Sequence, residues 1–573
     1  MYISDVKTEV FEMKVLLKNG YVVNVFTDSI ELSDVLIEND KIIGVGKYEN
    51  TDADIVEDVS GKYITPGFID GHIHIESTML TPSQLAKICV PCGTTTIVAD
   101  PHEIANVCGT DGIRYMIAAS QNIPLNVYFN LPSCVPATPF DESGTKLYAN
   151  DLYELYDFER ILGLAEMMNY PGVICGNEDV IQKINDAHKK GRIIDGHAPM
   201  LKGKDLDKYI SAGIQTDHEC TSFDEAREKL SKGQWIMIRE GTAAKNLCEL
   251  LPLFDEPYNH RCLLVTDDRH PADIKNEGHI DNIIRKAVKY GKSPIVAIRM
   301  ATLGAAQCFG LRYVGAIAPA YKADILVLDD LDSVAVRDVY SAGKKVVENK
   351  RIIDFDFPQI PDDIKAKVYN SFKTKKIDKD SFYIEPKSEK CRVIQVVPGQ
   401  LVTNELVADI NWDKNNGIDL DRDIIKLAVI ERHKGTGHIG LGFINGIGLK
   451  KGAIASSVSH DSHNIIVIGT NETDMALAVK HICAVGGNVV VCDGRCIADM
   501  PLPIAGLMSD LSGEDVAKAN ETVRNAVLEL GVAENIEPFM NMAFVSLPVI
   551  PSLKMTTQGL VDVVNFKNIS LFV

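Results

Sequence analysis

The sequence predicts an α/β protein built around a (β/α)8 barrel of the TIM type, with a small β-sandwich and an additional α/β domain beside it. Between residues 66 and 309, strand-like and helix-like patterns alternate eight times over about 240 residues, which is the count and size of such a barrel. Strand-like runs flank this region on both sides, and a stretch rich in both strand and helix patterns begins near residue 391. An open doubly wound sheet is the competing layout for the central region.

The flanking segments define the other parts of the chain. Residues 1–65 carry alternating or apolar runs with turn signals at Asn19-Gly20 and at Glu38-Asn39-Asp40, and residues 310–350 return to this pattern. We therefore expect these two flanks to form one composite β-sandwich around the barrel of residues 66–309. Residues 351–390 are charged and punctuated by proline, as is typical of a connector. Residues 391–573 form the predicted C-terminal α/β domain.

The predicted barrel strands end in polar residues. The candidate strands are 66–75, 93–100, 125–131, 161–168, 192–198, 213–218, 235–240 and 261–267. Barrel active sites are built at the carboxyl ends of such strands. The search for function therefore begins there.

Composition excludes several classes of protein. A net charge of −20 over 573 residues argues against a nucleic-acid partner, which requires clustered basic residues. The most apolar late run, residues 476–492, is interrupted by Lys480 and His481, so we expect no membrane span, and the N-terminus lacks a signal-peptide pattern. The 13 scattered cysteines favour free thiols in a reducing cytoplasm over disulfides or a zinc site, although Cys89 and Cys92 form one Cys-x-x-Cys pair.

The first strand of the barrel ends in a pair of histidines. The run from Pro66 to Glu76 contains His72 and His74, one residue apart. Because side chains alternate across a strand, both imidazoles point to the same side. Two imidazoles on one face can bind one metal ion without distortion of the backbone.

Later strands also end in histidines or carboxylates. In chain order these residues are Asp100, Glu166, His197, His218 and Asp267. With His72 and His74 added and Asp100 left aside, six of them are good ligands for divalent metals. His197 or His218 alone is typical of a hydrogen-bonded core histidine, and a buried unpaired Glu166 would be costly unless it bridged two cations. The combined pattern therefore predicts a metal centre.

This ordered set resembles the amidohydrolase superfamily. Within that superfamily, four motifs are similar to those of the bacterial adenine deaminases: 98–107 (Val-Ala-Asp-Pro-His-Glu-Ile-Ala-Asn-Val), 195–198 (Asp-Gly-His-Ala), 217–219 (Asp-His-Glu) and 265–271 (Val-Thr-Asp-Asp-Arg-His-Pro). The resemblance covers nearly the whole chain, including the C-terminal domain. Many amidohydrolases have a carboxylated lysine at the position of Glu166, so the glutamate itself favours the deaminase branch.

The resemblance implies two divalent metal ions, manganese or iron by preference, with zinc possible. It implies that one ion binds His72, His74, Glu166 and Asp267, and that the other binds Glu166, His197 and His218. It also implies hydrolytic deamination of adenine to hypoxanthine and ammonia by a metal-activated hydroxide, in purine salvage. In that reaction Glu166 and Asp267 are the expected catalytic residues, with Asp267 as the proton shuttle.

Other polar residues at strand ends are candidates for the substrate-binding site. Glu76, Glu103, Arg239 and Asp268 are predicted to face the purine ring, although each could equally form an ordinary salt bridge at the barrel rim. A rival enzyme function is hydrolysis of a cyclic amide, as in hydantoinases or dihydroorotases. A non-catalytic barrel scaffold is a third alternative, but such proteins usually lose ligands.

Two further motifs lie in the C-terminal domain. Residues 435–440 fit the glycine fingerprint of dinucleotide-binding proteins, but residues 441–448 are a poor helix start, so we expect no nucleotide cofactor. Residues 459–463 (Ser-His-Asp-Ser-His) are expected to form a hydrogen-bonded loop, with a loop that caps the barrel mouth as the alternative. We expect a cytoplasmic homo-oligomer that binds adenine and water, and neither nucleic acid nor a membrane.

Overall fold

The computed structural model describes residues 13–242, 244–369, 371–413 and 415–573. The segment 1–12, in which the sequence shows no signal-peptide pattern, lies outside the described residues. Among the helices of the described ranges, none has the length and apolar character needed to cross a membrane.

The strands fall into four runs along the chain. Strands β1 to β5 are Lys14–Asn24, Ser29–Glu38, Lys41–Gly46, Ile55–Asp58 and Tyr63–Pro66. Strands β6 to β13 are Phe68–Ile73, Thr94–Ala99, Asn126–Leu131, Ile161–Met167, Ile193–Gly196, Thr216–Asp217, Trp235–Arg239 and Cys262–Val265. Strands β14 to β17 are Ile325–Leu328, Val336–Ser341, Lys344–Glu348 and Arg351–Ile352. Strands β18 to β28 are Lys390–Val396, Thr403–Asp409, Ile424–Ile430, Ile439–Asn445, Ala453–Ser456, Ile465–Gly469, Asn488–Cys492, Arg495–Met500, Leu553–Thr556, Gly559–Asp562 and Lys567–Ile569.

Most helices lie between the strands of the central region. Helices α1 to α13 are Pro82–Cys89, His102–Cys108, Thr110–Ala119, Ala149–Leu152, Tyr170–Cys175, Glu178–Lys189, Gly203–Ser211, Phe223–Ser231, Leu247–Leu250, Pro271–Glu277, Ile280–Lys289, Pro294–Arg299 and Ala305–Cys308. Helices α14 to α17 are Asp362–Tyr369, Glu472–Val485, Gly513–Glu529 and Pro538–Val545. Local sequence explains several starts: the Thr81 hydroxyl accepts a hydrogen bond from the Gln84 N–H, and Pro82 occupies the first turn of α1.

Strands β6 to β13 lie at the eight positions that the sequence predicts. They form two parallel sheets, one in the order β10-β9-β8-β7-β6 and the other in the order β11-β12-β13. Strand β7 is buried along its whole length, as expected for a parallel strand covered by helices on one side and packed side chains on the other. The two sheets are linked at both of their edges. Next to β6 and β13, a parallel bridge joins Ile73 to Asp267. Next to β10 and β11, the Gln215 N–H donates to the Ile194 carbonyl at 2.9 Å. The carboxyl ends of all eight strands therefore face one side.

The two flanks of the central region form one sheet. Its order is β17-β16-β15-β14-β5-β1-β2-β3, with β4 paired to β1, and the antiparallel pair β5–β14 joins the N-terminal flank to the later one. The sequence predicts a sandwich here, whereas the hydrogen bonding runs continuously through nine strands. Both flanks contribute to one hydrophobic core, for example Val35 and Ile37 from the first and Ile325 and Val327 from the second.

The C-terminal region contains an eight-stranded sheet and a three-stranded sheet. The larger sheet has the order β19-β18-β21-β20-β23-β22-β24-β25, and the smaller one has the order β26-β27-β28. The segment 435–440 runs into strand β21 rather than into a helix. Helix α16 contacts α1 and α10 of the central region, and a bridge joins Leu80 to Ser509. A single cluster of buried apolar side chains extends through both regions, so the C-terminal region packs against the central region.

Candidate active site

The six predicted metal ligands come together at the carboxyl ends of the central strands. His72 lies in β6 and Glu166 in β9, while His74, His197, His218 and Asp267 follow directly or within two residues after β6, β10, β11 and β13. All are buried except His197, whose side chain is 23% exposed. Their ligand atoms form two adjoining groups.

The first group consists of His72, His74 and Asp267. The Nε2 atoms of the two histidines are 3.2 Å apart, and Oδ1 of Asp267 lies 3.3 Å from His74 Nε2 and 3.9 Å from His72 Nε2. Ligands that each lie about 2.1 Å from one ion are about 3.0–3.5 Å apart when they are neighbours around it. The spacing of these three atoms therefore fits a shared metal ion.

The second group consists of Glu166, His197 and His218. Oε2 of Glu166 lies 2.6 Å from His197 Nδ1 and 3.2 Å from His218 Nε2, and the two ring nitrogens are 3.2 Å apart. The other carboxylate oxygen, Oε1, lies 3.4 Å from His74 Nε2 of the first group. Glu166 therefore lies between the two groups, where its two oxygens can each face one cation.

Neighbouring acceptors orient two of the imidazoles. Nδ1 of His72 donates to Oδ2 of Asp195 at 3.0 Å, and Nδ1 of His74 donates to the Asp100 carbonyl at 3.1 Å. Each bond places the proton on Nδ1 and leaves the Nε2 lone pair directed at the centre, as is usual for metal-bound histidines. Asp195 is itself bound by the hydroxyl of Thr216 and by the N–H of Gly196. The donor set and its hydrogen bonds fit a pair of divalent cations.

Asp267 is held by a buried ion-pair network. Its N–H donates to the His72 carbonyl at 2.9 Å, and its φ of 57° is one that aspartate tolerates better than most residues. Arg239 Nη1 lies 2.7 Å from Asp267 Oδ2 and 2.5 Å from Glu219 Oε1. Burial raises the pKa of the Asp267 carboxyl, but Arg239 and His74 outweigh burial and hold this pKa well below its usual range. Arg239, predicted as a substrate contact, therefore binds two carboxylates, and its buried Nε has no partner among the described residues.

Glu76 and Asp268 line a cavity of about 100 Å³ beside the two groups. Oε1 of Glu76 accepts the Ile104 N–H at 3.1 Å, while its buried Oε2 has no partner among the residues described. Burial raises the pKa of Glu76 to about 7. Asp268 accepts the Ser77 hydroxyl at 2.5 Å. The opposite wall comes from the C-terminal region, with the apolar side chains of Leu401, Val458, Phe539, Met540, Ala543 and Phe544.

The segment 459–463 forms a hydrogen-bonded loop, in which the His463 N–H donates to the Ser459 carbonyl at 2.7 Å. The loop reaches the central region at Glu103, in the helix that follows β7. His460 Nδ1 lies 2.7 Å from Oε1 of Glu103, and His463 Nε2 contacts Oε2 of the same carboxylate. Glu103, predicted as a substrate contact, thus has both oxygens occupied by residues of the C-terminal region. Contact of Glu103 with the substrate stays a prediction.

Sequence reasoning missed four residues of this neighbourhood. His102, Asp195 and Glu219 each contact a residue of the two groups or of their ion pairs, and Asp461 lies close to His102. Three of them adjoin residues that the sequence did single out, in Asp100-Pro-His102-Glu103, Asp195-Gly-His197 and Asp217-His218-Glu219. Polar residues next to a predicted ligand were therefore the available signal.

Two known protein families match parts of this chain. The amidohydrolase family matches residues 63–346, and the adenine deaminase C-terminal domain matches residues 400–567. A fold of the amidohydrolase family with a metal-ligand cluster at its strand ends defines a metal-dependent hydrolase.

Full-length relatives narrow the class. Adenine deaminase 2 of Carboxydothermus hydrogenoformans is 47% identical over 553 residues, which are 96% of this chain and 95% of that protein. The adenine deaminase of Clostridium acetobutylicum is 46% identical over 578 residues, covering 99% of this chain and 100% of that protein. The chain belongs to the adenine deaminase family. A solved β-aspartyl dipeptidase of Fervidobacterium islandicum AW-1 is 16% identical with a TM-score of 0.46, covering 60% of this chain and 99% of that chain, a likeness too remote to bear on function.

Proposed function

We propose that this enzyme hydrolyses adenine to hypoxanthine and ammonia and serves purine salvage. The observation that carries the proposal is family membership over the full length of the chain, at 47% and 46% identity to curated adenine deaminases. The ligand cluster at the strand ends supplies the chemistry that such a hydrolase needs.

The proposed centre holds two divalent cations, manganese or iron by preference and zinc as the alternative. His72, His74 and Asp267 would bind one, His197 and His218 the other, and Glu166 both. Mixed imidazole and carboxylate ligation suits these metals. When bound, the cations lower the pKa of water and so provide a hydroxide nucleophile at neutral pH.

The chain's own residues then handle protons and position the ring. In the reaction a C–O bond forms at C6 of the purine, N1 takes a proton, and the C6–N bond breaks as ammonia leaves. Asp267, kept ionised by Arg239, can accept the proton of the attacking water and deliver it to the leaving amine. Glu76, with a pKa near 7 and a free buried oxygen, is suited to donate to N1.

The cavity between the two regions is the proposed purine site. Its barrel side presents Glu76 and Asp268, whose carboxyl groups can pair with ring nitrogens, and its other side is largely apolar. An apolar wall facing a few polar groups suits a flat heteroaromatic base. Arg239 and Glu103 stay predicted substrate contacts that act from the edge of this site.

We also propose the remaining features of the architecture and setting. The eight central strands close into a (β/α)8 barrel over residues 66–309, which the bonds at both pairs of sheet edges support. The flanks 1–65 and 310–350 form one composite unit, 351–390 connects, and 391–573 is the C-terminal domain. Thirteen free cysteines favour a cytoplasmic enzyme, and we keep a homo-oligomer, without nucleic-acid or membrane partners, as part of the proposal.

A substrate panel tests the function. Purified, metal-loaded enzyme should release ammonia from adenine with a larger kcat/KM than from adenosine, cytosine or guanine, and should not hydrolyse dihydroorotate. An unmatched buried polar group costs about 1–3 kcal/mol, so we expect at least about tenfold discrimination. A higher kcat/KM for adenosine or dihydroorotate would show that the substrate assignment is wrong even if the metal centre is right.

A further inference from the structure

Four side chains at the junction of the barrel and the C-terminal region surround one point outside the two metal groups. The atoms are His102 Nε2, Glu103 Oε1, His460 Nδ1 and Asp461 Oδ1. Around this ring, successive separations are 3.5 Å from His102 to Glu103, 2.7 Å to His460, 4.0 Å to Asp461 and 3.9 Å back to His102. Four ligands at about 2.1 Å from one ion lie about 3.0–3.5 Å apart as neighbours and about 4.2 Å apart when opposite. The His102–Glu103 separation falls in the neighbour range, and the two separations that involve Asp461 lie between the two ranges. The His460–Glu103 separation is that of a direct hydrogen bond, so the four atoms lie close enough together for one ion to take the place of that bond.

The hydrogen bonding of His102 prepares it for ligation. Its Nδ1 donates to Oδ2 of Asp100 at 3.0 Å, and its backbone N–H donates to Oδ1 of the same residue at 3.0 Å. The Nδ1 proton leaves a lone pair on Nε2, and Nε2 faces the ring. This carboxylate-to-histidine arrangement is the one that orients metal-bound imidazoles in proteins, and His72 shows it with Asp195 in the first group.

The ring contains two buried carboxylates, which need positive charge close to them. Glu103 and Asp461 are both buried, and Oδ2 of Asp461 has no hydrogen-bond partner among the described residues. Leaving buried carboxylates without compensation is expensive, and a divalent cation balances two of them. An unpartnered carboxylate oxygen beside two inward-facing imidazoles therefore points to a ligand.

The loop that carries His460 and Asp461 is held rigidly in place. Arg432 is fully buried and donates from Nη2 to the Ala505 carbonyl at 2.8 Å and from Nε to the His463 carbonyl. His433 Nε2 donates to the Ser462 carbonyl at 2.7 Å. Because the loop is fixed by bonds outside the ring, the ligand atoms are positioned before any ion binds.

We propose that His102, Glu103, His460 and Asp461 bind a third divalent cation, separate from the catalytic pair. Two imidazoles and two carboxylates suit a first-row ion such as Mn²⁺, Fe²⁺ or Zn²⁺. His102 separates this ion from the pair, since its Nδ1 edge lies 3.7 Å from Glu166 Oε1 while its Nε2 faces the ring. His102 and Glu103 come from helix α2 of the central region, whereas His460 and Asp461 come from the C-terminal region. The ion would therefore link the two regions. Because His460 also lines the substrate cavity, the ion supports the wall of that cavity.

Metal analysis of the full-length enzyme tests the proposal. Enzyme loaded with Mn²⁺ and dialysed should hold three ions per chain, whereas the His460→Asn, Asp461→Asn double variant should hold two. The matched control is His481→Asn with Asp499→Asn, a surface histidine–aspartate pair of the same region at 2.6 Å, which should still hold three. Glu166→Gln should lose ions from the pair and keep the third.

Anomalous diffraction from wild-type crystals grown with Mn²⁺ gives a result that does not depend on how the variants fold. A third peak inside the ring, about 2.1–2.3 Å from the four named atoms, is expected. Two peaks only, together with two ions per chain in wild type, would overturn the third site. The ion count is independent of the substrate panel, so failure of this proposal and failure of the adenine assignment are distinguishable.

Discussion

Removal of the Arg239 charge should destabilise the enzyme and shift its pH profile. Arg239 lies between two carboxylates that are 8% and 14% exposed, those of Asp267 and Glu219. Loss of one partner from a buried ion pair costs about 3–5 kcal/mol, and because water reaches Glu219 we expect the lower end of that range for Arg239→Met. Arg239→Lys keeps one charge but not the two-pronged geometry, so its effect should be smaller.

The same substitution should move the acid limb of kcat. In the proposed mechanism Asp267 must be ionised to accept a proton, so activity should be lost as the pH falls through its pKa. At a separation of about 4 Å and an effective dielectric constant of about 20, one positive charge contributes about 4 kcal/mol. Because Glu219 shares the guanidinium, we expect roughly half of this, or an upward shift of the acid limb by about 1–2 pH units.

Two measurements on metal-loaded protein test these effects of Arg239, namely urea unfolding and the pH dependence of adenine deamination. Arg261→Met is the matched control, since Arg261 is exposed at the opposite end of the same strands and stacks on Trp235. If Arg239→Met changes the free energy of unfolding and the acid limb no more than the control does, Arg239 does not keep Asp267 ionised. The ion pairs would then contribute neither to stability nor to the pH profile.

Three further predictions concern the metal ligands and one remote lysine. Glu166→Gln keeps the shape of the side chain but removes the charge between the two groups, so metal content and kcat should fall together by about tenfold or more; retention of both would make Glu166 a core residue with other partners. His72→Asn combined with His74→Asn should remove at least one ion and abolish turnover, and full activity of metal-stripped wild type would contradict the metal mechanism. Burial lowers the pKa of Lys554 to about 7, below its unfolded value near 10.5, so its protonated form destabilises the fold at neutral pH and this penalty shrinks as the pH rises. The stability of wild type relative to Lys554→Met should therefore increase by about 2 kcal/mol between pH 7 and pH 9 in urea unfolding, and a pH-independent difference would mean that Lys554 titrates normally.

The sequence was sufficient to predict the strands and ligands that depend on local pattern. His72 and His74 share a face because a strand repeats every two residues, and each later ligand lies at or just beyond the end of a strand-like segment. Such features need no knowledge of tertiary contacts. The eight strand positions and the gathering of the six ligands result from them once parallel strands are laid side by side.

Contacts between distant segments could not be predicted from local sequence patterns. Arg239 stays a predicted substrate contact, and the structure also pairs it with Glu219 and Asp267. Nothing local to position 239 predicts those two ion pairs. The continuous nine-stranded sheet depends on the β5–β14 pairing, which joins strands more than two hundred residues apart in the chain. Glu103 and His460 are separated by 357 residues, so their contact also depends on how the C-terminal region docks.

This docking makes the C-terminal region part of the site. The central strands bring the ligands together but leave Glu76 and Asp268 at an open mouth, where water would screen any charge that develops on the substrate. The C-terminal region closes that mouth with an apolar wall and with a loop whose histidines bind Glu103. Lys554 stabilises this wall through two hydrogen bonds. Its Nζ donates to the Leu401 carbonyl at 3.0 Å and to the Phe544 carbonyl at 2.9 Å, and both of these residues line the cavity. Since electrostatic interactions strengthen when water is excluded, the central region alone carries the ligands for the reaction but not the environment in which they act most strongly.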